Sequence, residues 1–261
     1  MKFLLALLFL QTAVAAPAWH AELTSPAPGP FPKLPPTKLE LRVTWNGMLD
    51  AGAVHIEFAP LGVKKPGTLV VRSRAFSQGP AAVIFPYQTE FWSEIQPATL
   101  RPRYFQAAEK DDKETVTTTV RHLPKLIESR EITVAGKTGR TEQSDHRFAF
   151  APVFDIFSAM LHVRSQKLDA GDRVTLVIYP FHTPYLLRVK VIGREILHGR
   201  NAIRLSVGLR KIDRKTLQLL PYKKLKQDAT LWLSDDADRI PIELRAAAFI
   251  GEIRASLVNP K

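Results

Sequence analysis

The chain has 261 residues, with 37 Lys and Arg against 25 Asp and Glu for a formal net charge of +12, and it contains no cysteine. The missing thiols exclude disulfides, thiolate nucleophiles, thioether-bound haem, iron–sulfur clusters and cysteine zinc sites. The basic balance suits anionic surfaces such as lipid head groups, lipopolysaccharide or acidic glycans, and roughly 245 residues beyond a leader peptide can bury a core that needs no cross-link.

The first element is a targeting segment. Lys2 supplies an n-region charge, Phe3 to Leu10 is unbroken apolar sequence, and Ala13-Val14-Ala15 or Val14-Ala15-Ala16 offers the small residues of a signal peptidase site. Gln11 and Thr12 end the apolar run well short of the about 20 residues a membrane span needs. Residues 1–16 are therefore expected to be a cleaved signal peptide, leaving an exported protein with no transmembrane segment. Residues 17–37 carry Pro17, Pro26, Pro28, Pro30, Pro32, Pro35 and Pro36, which predicts a flexible, extended leader that gains little by packing.

From Lys38 the period is two. Leu39, Leu41, Val43 and Trp45 alternate with Glu40, Arg42 and Thr44, Asn46-Gly47 marks a turn, and Val54, Ile56 and Phe58 resume the alternation. Further strands are expected at Thr68 to Phe76, Glu90 to Ile95, Tyr104 to Ala108, Glu114 to Val120 and Ile127 to Val134, with Pro80 to Pro86 as a connection or short helix. Ala135 to Asp145 is polar and contains glycine, and is expected to be a long excursion. Asp155 can cap a short helix that places Ile156, Phe157, Met160, Leu161 and Arg164 at spacings of three and four.

The second half returns to period two at Asp172 to Tyr179, Tyr185 to Ile192, Asn201 to Val207, Thr230 to Ser234, Ile240 to Ala246 and Phe249 to Val258. Few helices and many β-branched positions predict an all-β fold. The expected architecture is a strongly curved antiparallel sheet or partly closed β-barrel with one short helix near the middle. It forms one domain over 38–258, built from halves at 38–151 and 166–258.

Three blocks then carry a family resemblance. Trp45-Asn46-Gly47 with Ala51-Gly52, Phe154-Asp155-Ile156-Phe157-Ser158-Ala159-Met160-Leu161 with Arg164, and Leu231-Trp232-Leu233-Ser234-Asp235-Asp236 with Arg239-Ile240-Pro241 and Gly251-Glu252-Ile253 resemble the DUF3108 family of exported bacterial proteins. His162 stands where the family commonly has an aromatic, and Met160 where it has Leu. The resemblance implies a curved all-β scaffold of the Gram-negative envelope and carries over no activity, cofactor or catalytic residue.

The residues themselves offer weak candidates. Ser158, His162 and Asp155 are the one local Ser/His/Asp set, but Asp155 is better used as a helix cap and a helix surface lacks oxyanion donors. Glu90 and Glu94 would lie about 13 Å apart on a strand, beyond the roughly 5 to 9.5 Å of a glycosidase pair, and are expected to face Arg101 or Arg103. The histidines His20, His55, His122, His146, His162, His182 and His198 show no ligand spacing, so no metal and no cofactor is expected. Asp235, Asp236 and Asp238 read as a strand-end turn neutralised by Arg239.

Phe85 and Tyr87 flanking Pro86, with Phe91 and Trp92 close after, and Tyr179, Phe181 and Tyr185 beside Pro180 and Pro184, are candidates to grip an acyl chain, sugar or peptide. Arg210, Lys211, Arg214, Lys223 and Lys224 are candidates for an anion-binding edge. A basic stripe interleaved with stacking rings is missing, so nucleic acid is not an expected partner. The combined expectation is a non-enzymatic envelope binding or scaffold protein for a lipid, glycolipid or envelope protein. A hydrolase of an envelope polymer or ester and a purely structural assembly component are the alternatives.

Overall fold

The computed structural model describes residues 16–61, 67–222, 225–248 and 251–258. The expected signal segment, except Ala16, therefore lies outside the described residues, as do Lys223 and Lys224. An antiparallel meander comes first: β1 (Thr37–Trp45), β2 (Leu49–Pro60), β3 (Leu69–Ser77), β4 (Gln88–Gln96), β5 (Arg101–Lys110), β6 (Glu114–His122), β7 (Ile127–Ala135) and β8 (Thr141–Phe148). The short helix α1 (Gly79–Ile84) joins β3 to β4, and α2 (Ile156–Ser165) follows β8. A second meander runs through β9 (Arg173–Ile178), β10 (Tyr185–Leu197), β11 (Arg200–Ile212), β12 (Leu219–Pro221), β13 (Ala229–Ser234), β14 (Pro241–Ala248) and β15 (Gly251–Leu257).

The two meanders are one sheet because β1 pairs with β15, with Leu41 opposite Leu257 and Trp45 opposite Ile253. The sheet is not closed, and its terminal strands are β8 and β9. Asn46 and Gly47 turn β1 into β2 with φ of 51° and 69°, the left-handed conformations that a tight hairpin requires. The Asn46 side chain then accepts from Glu252 N–H at 2.9 Å, so the first turn also registers the last strand. Gly251 (φ 126°) is required at that junction, since a Cβ there would stand 2.5 Å from the Trp45 indole nitrogen.

Alternation in sequence becomes two faces of the sheet. Leu39 faces Ile56, and Leu41 faces Val54, on the inner side, while Lys38–Glu57 and Glu40–His55 are opposed on the outer side. The helix α2 lies inside the curve. Its Phe157 and Leu161 pack with Leu39, Phe58, Ile95, Phe105 and Val120, and its Ala159 and Val163 pack with Leu176, Val189, Ile203 and Leu205. Burying such a side chain contributes about 1.5 to 3 kcal/mol, so the helix joins two half-cores that neither meander completes alone.

Asp155 starts that helix as the sequence suggests. Its Oδ1 accepts from the N–H groups of Phe157 and Ser158, each at 2.8 Å, and Ser158 Oγ accepts from Asp155 N–H at 2.9 Å in a reciprocal capping box. Ser93 on β4 donates to Oδ2 at 2.5 Å, tying the cap to the sheet.

Three expectations are corrected. The Pro-rich stretch is not a free leader: Trp19 is buried and donates to Leu217 O at 2.8 Å, Glu22 takes a bidentate pair from Arg188, and Thr24 bonds both backbone groups of Thr175 on the outer edge of β9. Prolines and glycines suit a strap whose backbone is satisfied by its host, so their composition does not by itself mean disorder. Ala135 to Asp145 is no long excursion, because the chain turns at 136–140 and returns as β8, whose polar residues belong to an exposed end strand. Arg239 bonds none of the aspartates through its guanidinium and acts on Asp235 and Asp236 only through space. Asp236 Oδ1 accepts from Ser234 Oγ and from the N–H groups of Asp238 and Arg239, closing the turn, while the Arg239 guanidinium points to the end of α2.

Candidate functional site

An apolar recess of about 760 Å³ opens at the end of the first meander. The strap contributes Pro32, Leu34, Pro35 and Pro36 as one wall, the facing ends of β2 and β3 supply Pro60 and Leu69, the β4–β5 connection supplies Ala98 and Leu100, and Leu161 reaches it from α2. Leu100 takes φ 53° in its turn, which directs a buried side chain inward. Lys33 and Thr68 are the lining residues with polar side-chain atoms among the described residues. Such a lining can hold a hydrocarbon chain by exclusion of water.

The strap wall is placed by two arginines. Arg164, at the last turn of α2 and almost fully buried, donates from Nε to Asp238 O at 2.8 Å and from Nη2 to Lys33 O at 2.9 Å and Ala237 O at 3.3 Å. Arg239 donates to Arg164 O at 3.3 Å, to Gln166 O and to Lys167 O at 3.0 Å, and its guanidinium lies 3.8 Å over the Phe31 ring. Gly29 and Phe31 bond Ser165 through their backbone N–H groups. Only Gly fits there, since a Cβ on Gly29 would come within 2.3 Å of Ser165 O.

The sequence-predicted aromatics do not converge. Phe91 contacts the rings of Phe105, Phe157 and Phe181 in the interior, and Tyr179 stacks on Phe148 with its hydroxyl 2.9 Å from Ser129 Oγ. Phe85 and Tyr87 are exposed beside α1, Trp92 faces outward beneath Arg72, and Tyr185 meets Tyr222 in the other half. None of the seven lines the recess. Arg210, Lys211 and Arg214 are exposed along and just beyond the end of β11.

Ser158 and His162 face packed interior. Both are fully buried, Ser158 is committed to the capping box, and the His162 ring lies 5.1 Å from that of Phe154. Burial lowers the His162 pKa to about 4, against the opposing effect of a bond donated to the Ser25 backbone, and burial raises the Asp155 carboxyl above its ordinary range. Glu90 stands opposite Arg74 rather than Arg101 or Arg103. His182 pairs with Glu131 at 2.8 Å, and among the described residues no group of three or more His, Asp or Glu is placed to hold a metal ion.

One buried group escaped the sequence pattern. Glu243 is fully buried on β14, where burial works to raise its carboxyl, but bonds from His198, Ser256 and Arg245 outweigh that and hold it below the usual range. A charged residue at an alternating position reads as solvent-facing, and its partners on β15 and in the β10–β11 turn are visible only in three dimensions.

Comparison with known proteins follows the same lines. The family described as protein of unknown function (DUF3108) matches residues 40–258. Curated proteins yield no match. Among solved structures, the chain is similar to a β-barrel-like protein of a domain of unknown function, DUF1849, from Brucella abortus. The TM-score is 0.55 at 9% identity, covering 87% of this chain and 97% of that one. At that identity the likeness concerns the fold. Among the described residues no helix is long and apolar enough to cross a membrane.

Proposed function

Because the chain belongs to the DUF3108 family of proteins of unknown function, we propose a role set by its cavity: a non-enzymatic envelope protein that binds the apolar chain of a lipid or glycolipid. The observation that carries this is the recess of about 760 Å³ between the strap, the strand connections and Leu161. Its size falls within the roughly 300 to 1,000 Å³ of small-ligand sites, and its lining is mainly apolar, with Lys33 among the residues that border it. An anionic head group would be favoured by Lys33 and by the chain's net charge of +12. Lys2, the run Phe3 to Leu10 and the small residues at 13–16 support export to the periplasm of a Gram-negative bacterium, where such amphiphiles occur.

Native mass spectrometry of gently purified protein, together with titration of a fluorescent fatty acid, tests the proposal. Saturable binding is expected, weakened at least about tenfold when Ala98→Phe and Ala59→Phe fill the recess. Equal binding by the filled variant, or no bound amphiphile in either measurement, overturns it.

A further inference from the structure

On the opposite, outer face of β1 to β5 lies a second depression, a trough of about 800 Å³ that shares no lining residue with the recess. Two cross-strand rows build it. Lys38, Glu57, Arg72, Trp92 and Gln106 stand opposite one another in turn across the five strands, and beside them run Glu40, His55, Arg74, Glu90 and Ala108. The inward neighbours Leu39, Val71, Ser73, Ser93 and Ala107 are buried, which fixes these rows on the outer surface. Ala108 is the one small residue of the set and leaves space beside the half-buried indole of Trp92, whose ring is held by the Arg72 guanidinium at 4.8 Å.

A solvated sheet face would carry the same residue types, but its ion pairs would close. Elsewhere on the sheet most do: Arg130–Asp145 and Arg188–Glu22 meet at 2.7 Å and Arg147–Glu128 at 2.9 Å, while Arg204–Glu195 stays at 3.6 Å. Within the trough the pairs stay apart, with Lys38–Glu57 at 3.6 Å, Arg72–Glu57 at 3.8 Å and Arg74–Glu90 at 3.9 Å. These separations exceed hydrogen-bond range, and although Glu90 Oε1 accepts from Gln88 Nε2 at 3.3 Å, the carboxylates and guanidiniums flanking the aromatic ring keep bonding capacity directed outward.

From this geometry we infer that the trough binds a neutral saccharide chain. Vicinal hydroxyls are matched by carboxylate acceptors and planar guanidinium donors, and the apolar face of a sugar ring is matched by Trp92. Charge decides against a polyanion. Lys38, Arg72 and Arg74 are balanced by Glu40, Glu57 and Glu90, so this surface lacks the positive excess of the chain as a whole.

Calorimetric titration of the full mature chain with neutral tetrasaccharides of glucose and of N-acetylglucosamine, beside dextran sulfate, tests the inference. Saturable binding of a neutral tetrasaccharide is expected, equal at low and high salt, and weakened about tenfold or more by Trp92→Ala and by Glu57→Gln. Both substitutions lie on the outer face, and an unchanged melting temperature shows that they fold. Failure of every neutral tetrasaccharide to bind, binding that Trp92→Ala leaves intact, or salt-sensitive binding of dextran sulfate alone each overturns it.

Discussion

Arg164 and Arg239 each hold the backbone segment that carries the other. The guanidinium of Arg164, on the last turn of α2, is bonded to the carbonyls of Asp238 and Ala237, and that of Arg239 returns to the carbonyls of Arg164, Gln166 and Lys167. Each side chain satisfies orphan acceptors on the segment that carries the other, and between them they also grip Lys33 and Phe31 of the strap. The clasp thus locks the central helix, the β13–β14 turn and the recess wall into one unit.

Loss of either arginine should be costly and the two losses should not add. Arg164→Ala strands three carbonyl acceptors, with an expected cost of about 2 to 4 kcal/mol in urea unfolding. Arg164→Lys recovers little, because one ammonium lacks the planar fork that spans acceptors on two segments. The Arg164→Ala, Arg239→Ala double variant should lose clearly less than the sum of the single losses, and additive losses would show the two to be independent.

Asp155 joins the helix start to Ser93 on the sheet. Replacement by Ala should cost about 2 kcal/mol, through the lost cap and the orphaned N–H groups of Phe157 and Ser158. Asp155→Asn should be far milder, since it keeps an acceptor oxygen and sheds a charge that burial disfavours. Denaturant midpoints of the two variants distinguish these outcomes.

Acid should unfold the protein through buried histidines. Burial lowers His162 to about 4 and His122 to about 3, whereas an unfolded histidine titrates near 6.5, so the unfolded chain binds protons first as pH falls. Their contribution is complete above about pH 6.5 and is lost progressively down to about pH 4 for His162 and pH 3 for His122. The full His162 effect is on the order of 3 kcal/mol. His162→Gln should flatten the stability profile over that window; an unchanged slope would mean that His162 titrates alike in the folded and unfolded states.

The strap should behave as part of the fold. Trp19→Ala is expected to cost about 3 kcal/mol or more, through lost burial and the lost bond to Leu217 O. Gly29→Ala should cost about 1 to 3 kcal/mol, because the atoms its Cβ would meet belong to the backbone of Ser165 and Gln166 and cannot swing aside. Thermal melts that leave both variants at the parent midpoint would restore the picture of a loose leader.

Local chemistry was readable from the chain alone. Period-two alternation around Leu39 to Phe58 fixes which side chains face inward, Asn46-Gly47 dictates its hairpin, and Asp155 with Ser158 writes its own helix start, since each depends on residues a few positions apart. The motif blocks likewise sufficed for the family. Tertiary structure alone decided that the proline strap is bound, that β8 forms from a polar stretch, that Glu243 is buried, and that the Arg239 guanidinium hydrogen-bonds a helix end rather than its neighbouring aspartates. The recess and the trough belong to the same class. Each arises where carbonyls, rings or charges far apart in sequence meet across paired strands, and an alternating pattern records the direction of a side chain without recording what stands opposite it.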